Sequence, residues 1–271
     1  MMRSLWTAAS GMISQQTSVD TIANNLANVN TVGYKSESTQ FKSLLYQDLQ
    51  SKTTTANIEQ KPVAAQVGLG TRVASITSYF SQGPLNSSDS DTDFAIVGEG
   101  FFAARDLDGE TVYTRNGNLY MATAIDGMML ATADGYPILD VDDNPIILST
   151  DYKVSELTIS TDGELLYPDE SNNPVPLGMK IALYQFTNPS GLDKIGGNFY
   201  KETESSGVPI SEEYDEVGKK STLKQGYLEG SNVQVANEMV NLITAQRAYE
   251  LCSKAITTSD TMMEQANNLK R

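Results

Sequence analysis

The chain has 271 residues, of which 39% are hydrophobic and 20% are charged, a balance typical of globular proteins. Its formal net charge is -15, so its surface repels nucleic acids and anionic membranes, and we expect neither as a partner. It contains no histidine and one cysteine, Cys252. This composition excludes an intrachain disulfide, a thiolate zinc site and histidine-based acid–base catalysis.

The N-terminal segment has the periodicity of an amphipathic helix. Large apolar residues recur there at every seventh position: Leu5, Met12, Val19 and Leu26. Ala8 and Ile22 each follow a member of this row by three residues, which is the spacing of a coiled-coil seam. No proline interrupts the segment, and Gly33 is predicted to end the helix.

The C-terminal segment repeats this pattern over a greater length. Its apolar row consists of Val235, Leu242, Tyr249, Ile256 and Met263. The pattern predicts a helix from about Val233 to Leu269, roughly 55 Å long at 1.5 Å per residue. Ser231 or Asn232 is the expected N-cap.

The middle of the chain is predicted to form β-structure. Turn dipeptides separate short β-prone runs there: Asp108-Gly109, Asn116-Gly117, Asp126-Gly127, Asp134-Gly135 and Asp162-Gly163. Glycines at such close intervals predict a meander of hairpins. Before this region, residues 47–66 are rich in Thr, Gln, Ser and Lys and show no period, which indicates an extended arm or a plain loop.

These patterns predict an α+β fold with a discontinuous architecture. Residues 1–34 and 230–271 are expected to form one α-helical coiled-coil domain from the two termini. Residues 35–70 are expected to form an extended arm or linker, and residues 71–229 a central all-β domain.

The two apolar rows predict an assembly interface. The nine residues concerned are Leu5, Met12, Val19, Leu26, Val235, Leu242, Tyr249, Ile256 and Met263. The C-terminal helix has no partner of equal length within the chain, so we expect neighbouring subunits to cover the rows. The alternative is an intrachain helical hairpin with no further partner.

The sequence predicts no catalytic, cofactor or metal site. Two acidic clusters, at residues 89–93 and 140–151, have part of the spacing of a calcium loop, but Phe94 and Pro145 occupy the positions that require glycine. Glu99 lies between two glycines and is expected in a tight turn before a buried strand. No phosphate-binding loop or dinucleotide fingerprint is present in the sequence.

Several motifs resemble those of flagellar rod and hook proteins, the axial family. They lie in the family's order along the chain, at residues 24–35, 94–102, 113–117, 225–233 and 245–250. The N-terminal motif runs from Asn24 to Lys35, and the C-terminal motif surrounds Gly226 and Gly230. Within the family, the stretches at residues 41–47, 68–70 and 191–196 are similar to the distal-rod branch, with a proximal-rod paralogue as the alternative.

The resemblance implies a structural subunit and not an enzyme. It implies that the terminal helices form an inner tube, that the β-domain forms an outer layer, and that the arm braces neighbouring subunits. It also implies self-association into a helical rod, contacts with the proximal rod and hook, and torque transmission in the basal body outside the cytoplasm. The resemblance implies delivery by the flagellar export apparatus, which would account for the lack of a predicted secretory signal or membrane-spanning stretch.

Two other classes of function remain open at this stage. One is an extracellular adhesion module with a coiled-coil stalk, which would form a small fixed oligomer and not an open tube. The other is a carbohydrate-active β-domain enzyme, for which two carboxylates would suffice without histidine.

Overall fold

The computed structural model of the chain describes residues 2–50, 65–124, 127–149, 152–169, 173–214 and 218–269. Two compact units divide the chain. The helical unit comprises Met1–Ala27, Glu37–Thr77 and Gln234–Arg271, and the β unit comprises Asn28–Ser36 and Ser78–Val233. Two long helices and a central β-rich region confirm the predicted α+β class.

The helical unit contains helices α1 (Met2–Ala27) and α2 (Val235–Asn268). No proline interrupts either helix, and both run unbroken through the predicted apolar rows. Neither helix, nor any other among the described residues, has an apolar stretch long enough to cross a membrane.

Both predicted helix boundaries need correction. α1 ends at Ala27, six residues before Gly33, which instead adopts a left-handed φ of 69° within the β unit. α2 begins at Val235 after Gln234, and no side chain caps it. Ser231 and Asn232 therefore do not act as N-caps. The Asn232 side chain instead accepts a hydrogen bond from the Ser36 N–H, because it lies against the start of the β unit.

Four strands complete the helical unit. β1 (Glu37–Ser43) pairs with β4 (Thr71–Ser78), and β2 (Tyr46–Gln50) pairs antiparallel with β3 (Ala65–Gly68). Residues 47–50 and 65–66, the two ends of the predicted arm, thus form a β-ribbon. The rest of the arm, residues 51–64, lies outside the described residues.

The β unit consists of short strands in small sheets. The strands are β5 (Leu85–Ser87), β6 (Phe94–Val97), β7 (Phe101–Arg105), β8 (Thr111–Thr114), β9 (Leu119–Thr123), β10 (Met128–Thr132), β11 (Ile147–Leu148), β12 (Thr158–Ile159), β13 (Glu164–Pro168), β14 (Pro174–Lys180), β15 (Leu183–Gln185), β16 (Asp193–Gly196), β17 (Phe199–Lys201), β18 (Ile210–Ser211), β19 (Thr222–Gln225) and β20 (Tyr227–Glu229). Short 3-10 turns lie at Val154–Glu156 and Pro189–Gly191.

The largest sheet has the strand order β16-β17-β8-β7-β15-β18, and its central strand β7 is buried on both faces. Alternate residues of β7 point to opposite sides of it. Phe101 and Ala103 pack into an aromatic cluster with Tyr113, Phe186 and other side chains, while Phe102 and Ala104 join the main apolar core. All four are fully buried, as expected for the strand after Glu99.

The turn signals predicted some hairpins correctly and one wrongly. Hairpins form at Gly109, Gly135 and Gly163, each with a positive φ that glycine adopts without strain. Asn116-Gly117 forms no hairpin, because β8 pairs with β7 and β17 whereas β9 pairs with β10. The chain changes sheets there. Asp126 lies outside the described residues.

A small residue is required at this change of sheet, which makes Gly117 a test of the packing. A Cβ atom at Gly117 would lie 1.6 Å from the carbonyl oxygen of Phe94. We expect Gly117→Ala to lower the free energy of unfolding by about 1–3 kcal/mol or more, since backbone must move. Denaturant unfolding followed by near-ultraviolet circular dichroism measures this. Gly218→Ala, where a Cβ meets nothing within 4 Å, is the matched control, and equal effects would contradict the packing.

Candidate assembly interface

The two helices lie side by side and antiparallel, in contact through small side chains. Ser4 Oγ lies 3.3 Å from Ser259 Oγ, near the start of α1 and the end of α2. Further along, a Cβ atom at Gly11 would lie 3.0 Å from Cys252 Sγ. Ser18 and Ala245 line one groove of about 380 Å³. Close approach of two helix backbones needs such small residues.

These contacts follow a heptad row of their own. Ser4, Gly11 and Ser18 lie at seven-residue intervals on α1, as do Ala245, Cys252 and Ser259 on α2. Ala8 and Ile22 are buried beside the row, each with 8% exposure. The contact row therefore differs from the row of large residues predicted as the interface.

The large apolar residues flank this contact and remain partly open to solvent. Seven of the nine predicted interface residues are half-buried: Leu5, Met12, Val19, Leu26, Leu242, Ile256 and Met263. Val235 and Tyr249 are exposed by 41% and 38%. None of the nine is completely covered within a single chain.

One member of each large-residue row lines the same groove beside the helical pair. Val19 of α1 and Tyr249 of α2 line the same open groove of about 360 Å³, together with Gln16, Gln246 and Glu250. The structure thus brings two of the predicted interface residues together without closing the space between them. We call the surface formed by the nine predicted residues the apolar-row face.

The opposite side of α1 is covered by strands of the same unit. The Asn25 side chain donates to the Glu37 carbonyl at 2.7 Å and accepts from the Glu37 N–H at 2.9 Å. Thr39 Oγ1 donates to Thr21 Oγ1 at 3.0 Å. Because these contacts are polar and saturated, this side has little capacity for apolar packing.

Further large apolar side chains point outward elsewhere on the helices. Trp6 is 76% exposed and Ile13, one heptad later on α1, is 67% exposed. On α2 the exposed apolar residues are Met239, Val240, Ile243, Leu251 and Met262. Exposure of this extent along two helices is typical of surfaces that bind other proteins.

The charge of the chain is divided unequally between the two units. Residues 28–36 and 78–233 contain 26 of the 34 acidic residues but only 10 of the 19 basic residues. The β unit therefore carries nearly all the negative charge, and the helical unit is close to neutral. A neutral helical unit lets copies of it approach closely without strong repulsion.

The β unit has a buried ionic cluster where its two chain segments meet. Glu229, in β20, accepts from Lys35 Nζ at 2.7 Å and from Arg115 at 3.3 Å. All three side chains are at most 2% exposed. The Gly83 N–H also donates to Glu229 at 2.9 Å, and Lys35 Nζ also donates to the Ser81 carbonyl at 2.9 Å.

Besides its contact with Glu229, Arg115 makes a hydrogen bond and a cation–π contact. Its Nη2 donates to the Gly98 carbonyl at 2.6 Å, and its guanidinium lies 5.1 Å from the centre of the Phe101 ring. Among the described residues, its Nε is a buried side-chain nitrogen without a hydrogen-bond partner. The cluster thus buries two cations around one carboxylate, and each cation depends on that carboxylate.

Burial changes the ionisation of this cluster. Desolvation, reinforced by the neighbouring Arg115 charge, lowers the pKa of Lys35 from 10.5 to about 8, although Glu229 opposes this shift. Desolvation also lowers the pKa of Arg115, with Glu229 again opposing it. Burial also raises the pKa of two tyrosines of the β unit, that of the half-buried Tyr184 to about 12 and that of the buried Tyr113 further.

Removing the shared carboxylate should cost more than removing one cation. Glu229→Gln leaves two buried cations facing each other, and we expect it to lower the free energy of unfolding by about 3–5 kcal/mol. Lys35→Met keeps the Arg115–Glu229 pair and should cost clearly less. Chemical unfolding of the full chain measures both, with Lys153→Met at a largely exposed ion pair as control. A smaller loss for Glu229→Gln than for Lys35→Met would contradict the arrangement.

The lowered pKa of Lys35 predicts how stability depends on pH. Between about pH 8 and pH 10.5 the unfolded chain binds more protons at this side chain than the folded chain, so the Lys35 contribution to stability rises with pH. From pH 7.5 to 9.5 the stability of the wild type relative to Lys35→Met should increase by about 1–2 kcal/mol. The tyrosines are common to both proteins and cancel. A constant difference across this pH range would exclude the effect.

The acidic clusters considered for calcium have structural roles. Asp93 is buried and accepts a hydrogen bond from Ser88 Oγ. Asp140 Oδ1 accepts from the N–H groups of Val141 and Lys180 at 2.8 Å. Within the described ranges, no three Asp, Glu or Cys side chains are grouped so that they could hold a metal ion.

Sequence reasoning missed two features of these surfaces. The row of Ser4, Gly11 and Ser18 has the same seven-residue spacing as the large residues, so attention to small residues would have found it. The ionic cluster had no such signal, because Lys35 and Glu229 lie 194 positions apart. Only the fold brings them together.

Comparison with protein families gives three matches in chain order. Residues 5–35 match the family described as flagella basal body rod protein. Residues 95–167 match the flagellar hook protein FlgE/F/G D1 domain, and residues 224–269 match the flagellar basal body rod FlgEFG protein C-terminal family. The first and last matches contain both apolar rows, and the middle match contains Arg115.

Comparison with individual proteins gives matches over the whole chain. The chain is 45% identical to the flagellar basal-body rod protein FlgG of Borreliella burgdorferi, with 100% of each chain covered. It is 36% identical to FlgG of Bacillus subtilis, again with 100% of each covered. It is 31% identical, over 100% of both chains, to the flagellar hook-basal body complex protein FlhP of Bacillus subtilis.

Proposed function

The chain belongs to the family of flagellar basal-body rod proteins, and on that premise we propose that its apolar-row face packs against neighbouring subunits to build a helical rod. As a member of this family, the chain is a structural subunit of the flagellar basal body and not an enzyme. Full-length similarity to proteins named FlgG favours the distal rod over the proximal-rod alternative.

The observation that carries the proposal is the partial exposure of the apolar rows. The rows lie beside the helix contact, so they keep solvent-facing surface after the helices have paired. Burying each large apolar side chain contributes about 1.5–3 kcal/mol, and a second copy offers the same complementary rows. Repetition of such a contact between copies gives an open-ended polymer when the rotation does not close a ring.

We infer that the helical pair is a coiled-coil layer formed from both chain ends. The antiparallel contact through small residues supports this, since it holds the backbones close and leaves the larger rows for contacts between subunits. On this proposal, α1 and α2 form the inner tube, the β unit forms the outer layer, and strands β1 to β4 form the brace between neighbours. The proposed rod transmits torque from motor to hook.

The proposed partners are axial proteins of the same flagellum, namely copies of this chain, the proximal rod and the hook. The near neutrality of the helical unit supports close packing among them. We also propose delivery by the flagellar export apparatus.

Substitutions in the apolar rows test the proposal. Leu242→Asp and Ile256→Asp place a carboxylate where apolar contact is expected, and its burial without a partner is strongly unfavourable. We expect both variants to abolish swimming when each replaces the wild-type chain, while near-ultraviolet circular dichroism of the β unit stays unchanged. Leu242→Met keeps size and apolarity and should retain motility. Normal swimming of both Asp variants would overturn the proposal.

The purified chain offers a direct readout of assembly. Trp6 is the only tryptophan and is 76% exposed in the single chain. Its emission should shift to shorter wavelength as light scattering rises with concentration in the wild type and in Leu242→Met, but not in Leu242→Asp. This comparison separates failed assembly from failed delivery of the chain.

A further inference from the structure

Two distant segments of the β unit are bound to one another by few and specific contacts. Residues 28–36, here called the strap, follow α1, while residues 227–233 precede α2. The Gly33 N–H donates to the Glu229 carbonyl at 2.8 Å, and the Ser36 N–H donates to Asn232 Oδ1 at 2.7 Å. The strap therefore depends on residues that lie almost at the other end of the chain.

Side chains also connect the strap to residues 227–233, and these contacts include an ion pair. Lys35, in the strap, is buried against Glu229, and the same carboxylate compensates Arg115. Asn232 also donates to the carbonyl of Tyr79 at 2.8 Å and to that of Ser81 at 3.2 Å. Glu229 and Asn232 thus each bind two segments, the strap and residues 79–83.

The charges of Lys35, Arg115 and Glu229 determine the order in which the strap and β20 can dock. If the strap docked before β20, Lys35 and Arg115 would be buried next to each other without an anion. Burial of an uncompensated charge is costly, and two adjacent cations add repulsion. Of the strap contacts that do not involve the last part of the chain, the Asn198 side chain to the Val32 carbonyl at 2.9 Å is a neutral hydrogen bond of modest net value. The bond from Lys35 Nζ to the Ser81 carbonyl leaves the Lys35 charge without an anion.

Close packing reinforces this order. A Cβ atom at Gly33 would lie 2.9 Å from the carbonyl carbon of Arg115, so the strap lies directly on the Arg115 backbone. The strap can therefore occupy its place only when Arg115 has its final position.

We propose that the strap docks last and that Glu229 is the residue that locks it in place. The β unit then closes only when its C-terminal strand is present, so an incomplete chain does not fix the segment that follows α1. This device is independent of the proposed rod assembly, because every residue in it belongs to the β unit of one chain.

Refolding of the full chain tests the order directly. Pulsed hydrogen exchange with mass spectrometry after dilution from denaturant should show protection of residues 28–36 no earlier than that of residues 222–233. Core strands such as β7 should gain protection before residues 222–233 or together with them. Protection of the strap ahead of residues 222–233 would overturn the proposal.

Exchange in the native state tests the lock. Lys35→Met retains the Arg115–Glu229 pair, so the core should remain folded while the protection of residues 28–36 falls by about tenfold or more. Asn232→Ala should reduce protection at Ser36 and spare β7. Lys153→Met, on the surface of the same unit, should change neither region.

Two outcomes would exclude a separate strap. Wild-type protection of residues 28–36 in both variants would show that Lys35 and Asn232 do not hold it. An equal loss of protection in the strap and in β7 would show that the strap opens only when the whole unit unfolds. Because the readout is made on single chains, failure here leaves the rod assembly unaffected, and failure of assembly leaves this proposal unaffected.

Discussion

The close approach of two helices through small side chains is the constraint on which the rest of the helical unit depends. Serine, glycine, alanine and cysteine occupy the line of contact, with Gly11 lying directly against Cys252. A line of contact filled by small residues leaves no space in it for leucine, isoleucine or tyrosine. The large residues of the same heptads are therefore displaced to the flank, where one chain cannot cover them. Their exposure is a consequence of how the pair is packed.

On the proposed assembly, contacts between copies cover this apolar flank. Association by mass action provides cover that grows with protein concentration, and it stabilises the folded chain at the same time. The distribution of charge suits this outcome. The helical unit is nearly neutral, whereas the β unit carries an excess of acidic residues. The residues that repel other copies are thus separated along the chain from those that attract them.

The sequence predicts those features that depend on local periodicity. The heptad rows predicted both helices because a seven-residue repeat is visible within each terminal segment. The Asp-Gly dipeptides predicted the hairpins at residues 109, 135 and 163, where each glycine adopts a positive φ. The predicted stop of α1 and the predicted N-cap of α2 were wrong, because Gly33 and Asn232 make contacts in the β unit and do not cap the helices. Competing tertiary contacts of this type leave no local trace.

The candidate interface likewise has features that the sequence predicts and features that only the fold determines. The large apolar rows were visible in the sequence, and their role in assembly stays a prediction. That Val19 and Tyr249 would line one groove could not be known, since the antiparallel register of the helices fixes which turns meet. Asn116-Gly117 shows the converse failure. Its turn signal is real, but β8 finds better partners in β7 and β17 than in β9.

The buried ionic cluster shows why specificity and stability should be considered separately. Replacing a buried ion pair by apolar residues of similar size is often neutral or stabilising, so burial of Lys35, Arg115 and Glu229 is a weak source of stability. Its effect is on specificity, because it disfavours other registers of the strap and β20. An apolar contact tolerates a shift of one residue, whereas a shift here would leave a buried charge without its partner. The cluster therefore restricts the strap and the last strand to a single register. That register fixes Ser36 and Val233, the residues at which the chain leaves the β unit on either side.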